Sequence, residues 1–166
     1  MADTALISVY NKDGIAEFAA GLVDLGWTVM ASGGTAATIK AAGVPVTDVA
    51  KLAGGKAILG HRVVTLSREV YAGILADTSN PADVKELKKL GIPVIGLVCV
   101  DMYPLEAEIA KAKPKLQDII TQTDIGGPTM LRAAAKSRRI VLSVAEQRKP
   151  VLKWLQQGKP DETAFL

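Results

Sequence analysis

The chain has 166 residues, 49% apolar and 22% charged, which is enough for one domain with a real core and too well mixed for a disordered segment. A formal charge of +3 and 4% aromatic residues argue against a nucleic-acid interface, which needs a clustered basic stripe and stacking rings. One cysteine, Cys99, and one histidine, His61, exclude an internal disulfide and leave no thiolate or imidazole set for a metal. No apolar run approaches the ~20 residues that span a bilayer, and no charged-then-apolar leader opens the chain, so a cytoplasmic protein is expected.

Ala5 to Val9 predicts a short strand that ends in the turn-like Tyr10-Asn11-Lys12-Asp13-Gly14. Ile15, Phe18, Ala19, Leu22 and Leu25 follow at helical spacing, and Gly26 supplies the stop. Trp27 to Ala31 is the next strand, broken by Ser32-Gly33-Gly34, and Thr35 to Ala42 a helix closed by Gly43. Lys51 to Ala76 has four glycines and no clean period and reads as an ordered functional loop region with short elements. Asp83 to Leu90 predicts a polar-faced helix stopped by Gly91, and Val94 to Val100 a strand apolar on both faces. Leu105 to Ala112, Leu116 to Thr121 and Pro128 to Lys136 read as helices, Ile140 to Val144 as a last strand, and Glu146 to Gln157 as a terminal helix. No repeat or long linker divides residues 1–166, so a single domain is expected. Strands alternating with helices predict an α/β fold of three layers, a mainly parallel sheet with helices on both faces, Rossmann-like in outline.

In such sheets ligands collect beyond the carboxyl ends of the strands. Four polar segments rich in Gly or Pro fall there: Tyr10-Asn11-Lys12, Ser32-Gly33-Gly34-Thr35, Asp101-Met102-Tyr103-Pro104 and Asp124-Ile125-Gly126-Gly127-Pro128. Ser32 to Thr35 joins a strand to a helix, where glycine N–H groups, hydroxyls and the helix N-terminus suit a phosphate, with Lys12 as counter-charge. The same four residues equally suit a capped tight turn with no ligand. Asp124 to Thr129 also opens a helix; its N–H groups can hold an oxyanion, with Asp124 as acceptor or general base, and a plain helix cap is the simpler reading. Lys136 ends an alanine run, where a lysine ordinarily faces water and favours the helix dipole. Arg62 and Thr65 alternate with valines and serve as ligand groups or as an exposed strand edge.

Taken in order, these segments resemble the inosine monophosphate cyclohydrolase domain of the bifunctional purine-biosynthesis protein, a member of the methylglyoxal synthase-like fold class. The resemblance runs through Ala5-Leu6-Ile7-Ser8-Val9 with Lys12 and Gly14, Ala31 to Ala36, and Gly43 to Val49. It continues with Arg62-Val63, Thr65-Leu66, Gly73 to Ala76, Tyr103-Pro104 and Asp124 through Lys136. It implies closure of the ring of a formamido imidazole carboxamide ribonucleotide to inosine monophosphate and water, with no metal or other cofactor. By the same resemblance Asp124, Lys136 and Tyr103 are the catalytic residues. Ser8, Lys12, Ser32, Gly33, Gly34, Thr35, Arg62, Thr65, Asp101, Ile125, Gly126 and Gly127 form the phosphate and substrate side. Implied partners are a purine ribonucleotide, a second copy in a homodimer and a separate transformylase; no transformylase domain, nucleic acid or membrane is expected.

The chain departs from the family pattern on the ligand face. Where the family has Arg-Val-Lys-Thr-Leu-His-Pro, this chain has Arg62-Val63-Val64-Thr65-Leu66-Ser67-Arg68, so a functional lysine is replaced by an uncharged valine. A following His-Gly or His-Ala becomes Tyr71-Ala72, and Asn-Leu-Tyr-Pro-Phe becomes Asp101 to Leu105. Lys56 or Arg68 can substitute for the lysine in space. The leading expectation is therefore a cyclohydrolase-like enzyme. Its alternative is a purine-nucleotide-binding or regulatory domain that lost activity with the lysine. A small-phosphate lyase of the wider fold class is disfavoured by the Asp124-Ile125-Gly126-Gly127 context.

Overall fold

Residues 3–60 and 62–162 are described in the computed structural model, and His61 lies outside them. The apolar runs form five strands, β1 (Thr4–Ser8), β2 (Thr28–Ala31), β3 (Thr47–Asp48), β4 (Ile95–Val100) and β5 (Ile140–Leu142). They make one parallel sheet in the order β3-β2-β1-β4-β5. The chain builds outward from β1 to β3, then returns to place β4 on the other side of β1. The sheet therefore reverses direction between β1 and β4, where doubly wound folds leave a crevice at the strand ends.

Alternation along the strands sends side chains to two separate cores. Ala5, Ile7, Val29, Ala31, Leu97, Cys99, Ile140 and Leu142 pack with helices α1 (Ile15–Asp24), α2 (Gly33–Ala41) and α8 (Arg148–Gln156). Leu6, Met30, Val98 and Val100 face the opposite way onto α3 (Arg68–Leu75) and α7 (Gly126–Lys136). The expected three-layer α/β architecture is what the chain adopts. Helices α4 (Pro81–Leu90), α5 (Leu105–Ile109) and α6 (Leu116–Gln122) complete the connections. Ile95 and Leu97 are two apart yet serve opposite cores, because the register with β1 shifts between Thr4 and Ala5 and Gly96 is the extra residue. A Cβ on Gly96 would already touch the Trp27 ring at 3.4 Å.

Local departures from the sequence reading have local causes. The stretch from Lys51 to Ala76 contains the eight-residue helix α3, started by the Ser67 hydroxyl accepting from the Val70 N–H at 3.2 Å. The short strand β3 had no periodic signal because it is two residues long. Helix α5 stops at Ile109 rather than Ala112, and α7 begins at Gly126, with Pro128 inside its first turn. The last strand ends at Leu142 because the Gln147 side chain accepts from the Ser143 and Val144 N–H groups at 2.7 and 3.2 Å. A short 3-10 turn, Ala145–Gln147, then precedes α8.

Cys99 is a packed core thiol, and burial pushes its pKa up to about 11 although Arg148 acts in the opposite direction. Among the described residues no helix is long and apolar enough to cross a membrane, and no group of histidine, cysteine and carboxylate side chains could hold a metal.

Helix α3 reaches the sheet only because Gly73 lacks a side chain: a Cβ there would stand 2.7 Å from the Pro93 carbonyl oxygen and 3.1 Å from Ile95 Cδ1. Gly73→Ala is expected to destabilise the fold by about 1–3 kcal/mol, read as a lower urea midpoint with an unchanged slope.

Candidate functional site

The loop after β1 and the loop after β4 are fastened together by one buried ion pair. Arg148, at the start of α8, is 3% exposed and places one terminal nitrogen 2.8 Å from a carboxylate oxygen of Asp101. The same guanidinium donates to the carbonyls of Asp13 at 2.7 Å and Asn11 at 2.8 Å. The other oxygen of Asp101 accepts from the backbone N–H groups of Tyr10 and Asn11, the latter at 3.1 Å. Three distant segments thus meet at the switch point through fixed, charge-assisted bonds. Asp101, expected on the substrate side, uses both carboxylate oxygens to hold the Tyr10–Asp13 loop.

Beside this clamp the β2–α2 junction is equally tied down. Thr35 is buried, and its hydroxyl both accepts from the Val9 N–H at 3.2 Å and donates to the Val9 carbonyl at 3.1 Å. The hydroxyls of Ser8 and Ser32 lie 2.7 Å apart, and Gly33 and Gly34 form the exposed first turn of α2. Lys12 leans over that turn: a Cβ on Gly34 would stand 3.7 Å from its Cε, while its ammonium donates to the Tyr10 carbonyl at 3.2 Å. Ser8, Lys12, Ser32, Gly33, Gly34 and Thr35 are therefore gathered in one place, with an ammonium and a helix N-terminus facing solvent together. Such a turn is electrostatically suited to a phosphate.

The entrance of α7 lies beyond the end of β4. Asp124 accepts from the Gly127 N–H at 3.0 Å and so caps the helix. Gly127 is pressed between the Asp124 carboxyl group and Val100, and a Cβ there would strike both. A Cβ on Gly126 would lie 2.9 Å from the Thr65 hydroxyl, so Thr65 seals the loop before α3 onto the start of α7. Both glycines are needed for close approach. Ile125 is exposed between them and Asp124.

Tyr103 stands edge-on to Tyr10, with ring centroids 5.8 Å apart at 81°, and both rings are about half exposed. This pair forms an aromatic rim at the β1 and β4 loops. Arg62 is exposed, with its Nε donating to the Leu59 carbonyl at 2.6 Å. Lys136 is not near Asp124. It ends the eleven-residue helix that Asp124 opens, about 15 Å further along the axis, beyond the reach of a lysine side chain.

A cavity of about 190 Å3 opens beside the α3 loop, lined by Gly54, Gly55, Lys56, Val64 and Ser67 among others. Lys56 thus shares a cavity with Val64, whereas Arg68 has an exposed side chain paired with Glu69 at 3.1 Å. One contributor was missed in the sequence. Arg148 had no signal, since its partners lie 47 to 137 positions away.

The chain that carries these features is similar to known proteins. Residues 14–129 match the family model described as the MGS-like domain, and the chain belongs to that family. It is 46% identical over 160 residues to the bifunctional purine biosynthesis protein PurH of Cyanothece sp., an alignment covering 95% of this chain and 31% of that protein. The chain therefore spans about a third of the length of this curated relative. The solved crystal structure of ForH superposes with a TM-score of 0.82 at 38% identity, covering 96% of this chain and 82% of ForH. The family resemblance read from the sequence is borne out.

Removing Arg148 would leave the Asp101 carboxylate buried without its counter-charge. Arg148→Met is expected to cost about 3–5 kcal/mol in urea unfolding. Amide exchange should rise first at Tyr10 to Asp13, whose backbone groups the clamp holds.

Proposed function

We propose that this domain closes the ring of a formamido imidazole carboxamide ribonucleotide to give inosine monophosphate and water, a step of purine biosynthesis. The observation that carries this reading is the 46% identity, over 95% of the chain, to a purine biosynthesis protein. The site chemistry supports it. The Ser8–Ser32 pair, Lys12 and the first N–H groups of α2 would take the phosphate. Arg62 and Thr65 would stand on the ribose side.

Ring closure forms a bond from the carboxamide nitrogen to the formyl carbon. The amide loses a proton and the formyl oxygen gains one; the hydroxyl then leaves as water, the former formamide nitrogen gives up its proton, and the C=N bond of the ring forms. Holding the two ends of one molecule in contact supplies much of the rate. Asp124 would accept the amide proton, and the Gly126 and Gly127 backbone would stabilise the developing oxyanion. Tyr103 would position the heterocycle on the aromatic rim. Lys136 would act as acid or charge stabiliser. No metal or other cofactor enters these steps.

Because Asp124 and Lys136 occupy opposite ends of one helix, a single copy cannot bring them together. The reading therefore includes a homodimer in which Lys136 of a second copy completes each site. Its substrate is the product of a formyl transfer, so a transformylase is the proposed partner upstream.

One observation favours a second reading, a nucleotide-binding module without turnover. Val64 is half-buried against the apolar core beside α3 and brings no charge where the family has a lysine. Lys56, which lines the same cavity, is the candidate replacement.

Ultraviolet-monitored conversion of the formamido ribonucleotide separates the two. Turnover is expected from the unmodified chain, with a loss of ~100-fold or more in Lys56→Ala and recovery in Lys56→Ala with Val64→Lys. Inosine monophosphate binding without turnover, with activity appearing only on Val64→Lys, would support the binding module instead.

A further inference from the structure

Three buried side-chain polar atoms have no hydrogen-bond partner among the described residues. Glu108 Oε1 lies on an acid already paired with Lys111, and Arg148 Nε on a guanidinium already held at both terminal nitrogens. The third is the hydroxyl of Tyr71, on α3, which is shielded from solvent. Its ring packs against the core that also receives Val64. The polar groups that act on the phenol are Thr129 and Asp124, both from the entrance of α7. Thr129 gives its one hydroxyl proton to the Ile125 carbonyl at 2.7 Å and so cannot also donate to the phenol. One oxygen of Asp124 accepts from the Gly127 N–H, and neither side chain is within hydrogen-bonding geometry of the Tyr71 hydroxyl. Burial raises the phenol above its ordinary pKa, so Tyr71 is a neutral donor at physiological pH.

A buried hydroxyl without a partner is costly, and native proteins keep such groups mainly where a bound molecule will satisfy them. We propose that Tyr71 is a further substrate-positioning residue: its hydroxyl donates to a carbonyl-type oxygen of the bound ribonucleotide, beside the carboxylate of Asp124. This rests on the proposed function for the class of ligand. A buried donor also discriminates strongly, since a ligand lacking the acceptor would leave the hydroxyl unpaired.

Tyr71→Phe separates this role from a structural one, because it removes the hydroxyl and keeps the ring. In the free protein the melting temperature is expected to stay the same or rise, since only an unpaired group is lost. The increase in melting temperature produced by inosine monophosphate should shrink, with affinity falling about tenfold, the scale of one hydrogen bond. If the protein turns over the formamido ribonucleotide, KM should rise in parallel. A Tyr71→Phe variant that is less stable when free but keeps the full ligand-induced increase would overturn the inference and leave the functional reading intact. Absence of any such increase in the unmodified protein would overturn the functional reading, and the assignment of Tyr71 with it.

Discussion

The clamp between Arg148 and Asp101 is the constraint on which the candidate site depends. β1 and β4 are neighbours at the centre of the sheet, but their loops leave toward different helices and have no reason of their own to stay together. One guanidinium from α8 and one carboxylate from the end of β4 bond the loop between them at four backbone groups. Ion pairs this deeply buried are weak sources of net stability, and hydrophobic replacements often do as well. What this pair provides is position: it fixes where Tyr10 stands, and hence the edge-on Tyr103, and it sets the course of the chain toward Lys12.

Close packing without side chains does the corresponding work at α7. Gly126 admits the Thr65 hydroxyl and Gly127 admits both Asp124 and Val100, so the helix entrance, the loop before α3 and the end of β4 converge with no room to spare. The phosphate-suited turn at Ser32 is tied to β1 by the two-way bond between Thr35 and the Val9 peptide. The three parts of the site are therefore fastened to the sheet, as the proposed catalysis by positioning requires. The pair that remains apart is Asp124 and Lys136. Eleven residues of helix separate them within one copy, and the proposed dimer follows from that length.

Much of the fold was legible from local patterns. The apolar runs at Ala5, Val29 and Ile95 marked central strands because parallel strands are buried on both faces, and Gly26, Gly43 and Gly91 marked helix ends. Helix α3 was not legible, since it is short, contains Gly73, and is held by long-range packing rather than by its own period. The convergence of Lys12, Ser32 and Asp124 at strand ends could be inferred from topology alone. The fastening of Asp101 to Arg148 could not, because no local rule links residues 47 positions apart. Nor could the separation of Asp124 from Lys136 be weighed before the bounds of α7 were known. The cavity shared by Val64 and Lys56 likewise depends on a turn with no periodic signature.

A complementation experiment tests the central claim, ring closure at a site shared between two copies, most directly. Asp124→Asn and Lys136→Ala, each purified alone, are expected to be folded and inactive in the conversion of the formamido ribonucleotide to inosine monophosphate. Mixed, unfolded and refolded together, they should recover about a quarter of the unmodified activity, since half the dimers are hybrids and each hybrid restores one of two sites. Full silence of the mixture, with the unmodified protein active, would contradict a shared site. Activity retained by either variant alone would contradict the catalytic role of the residue it lacks.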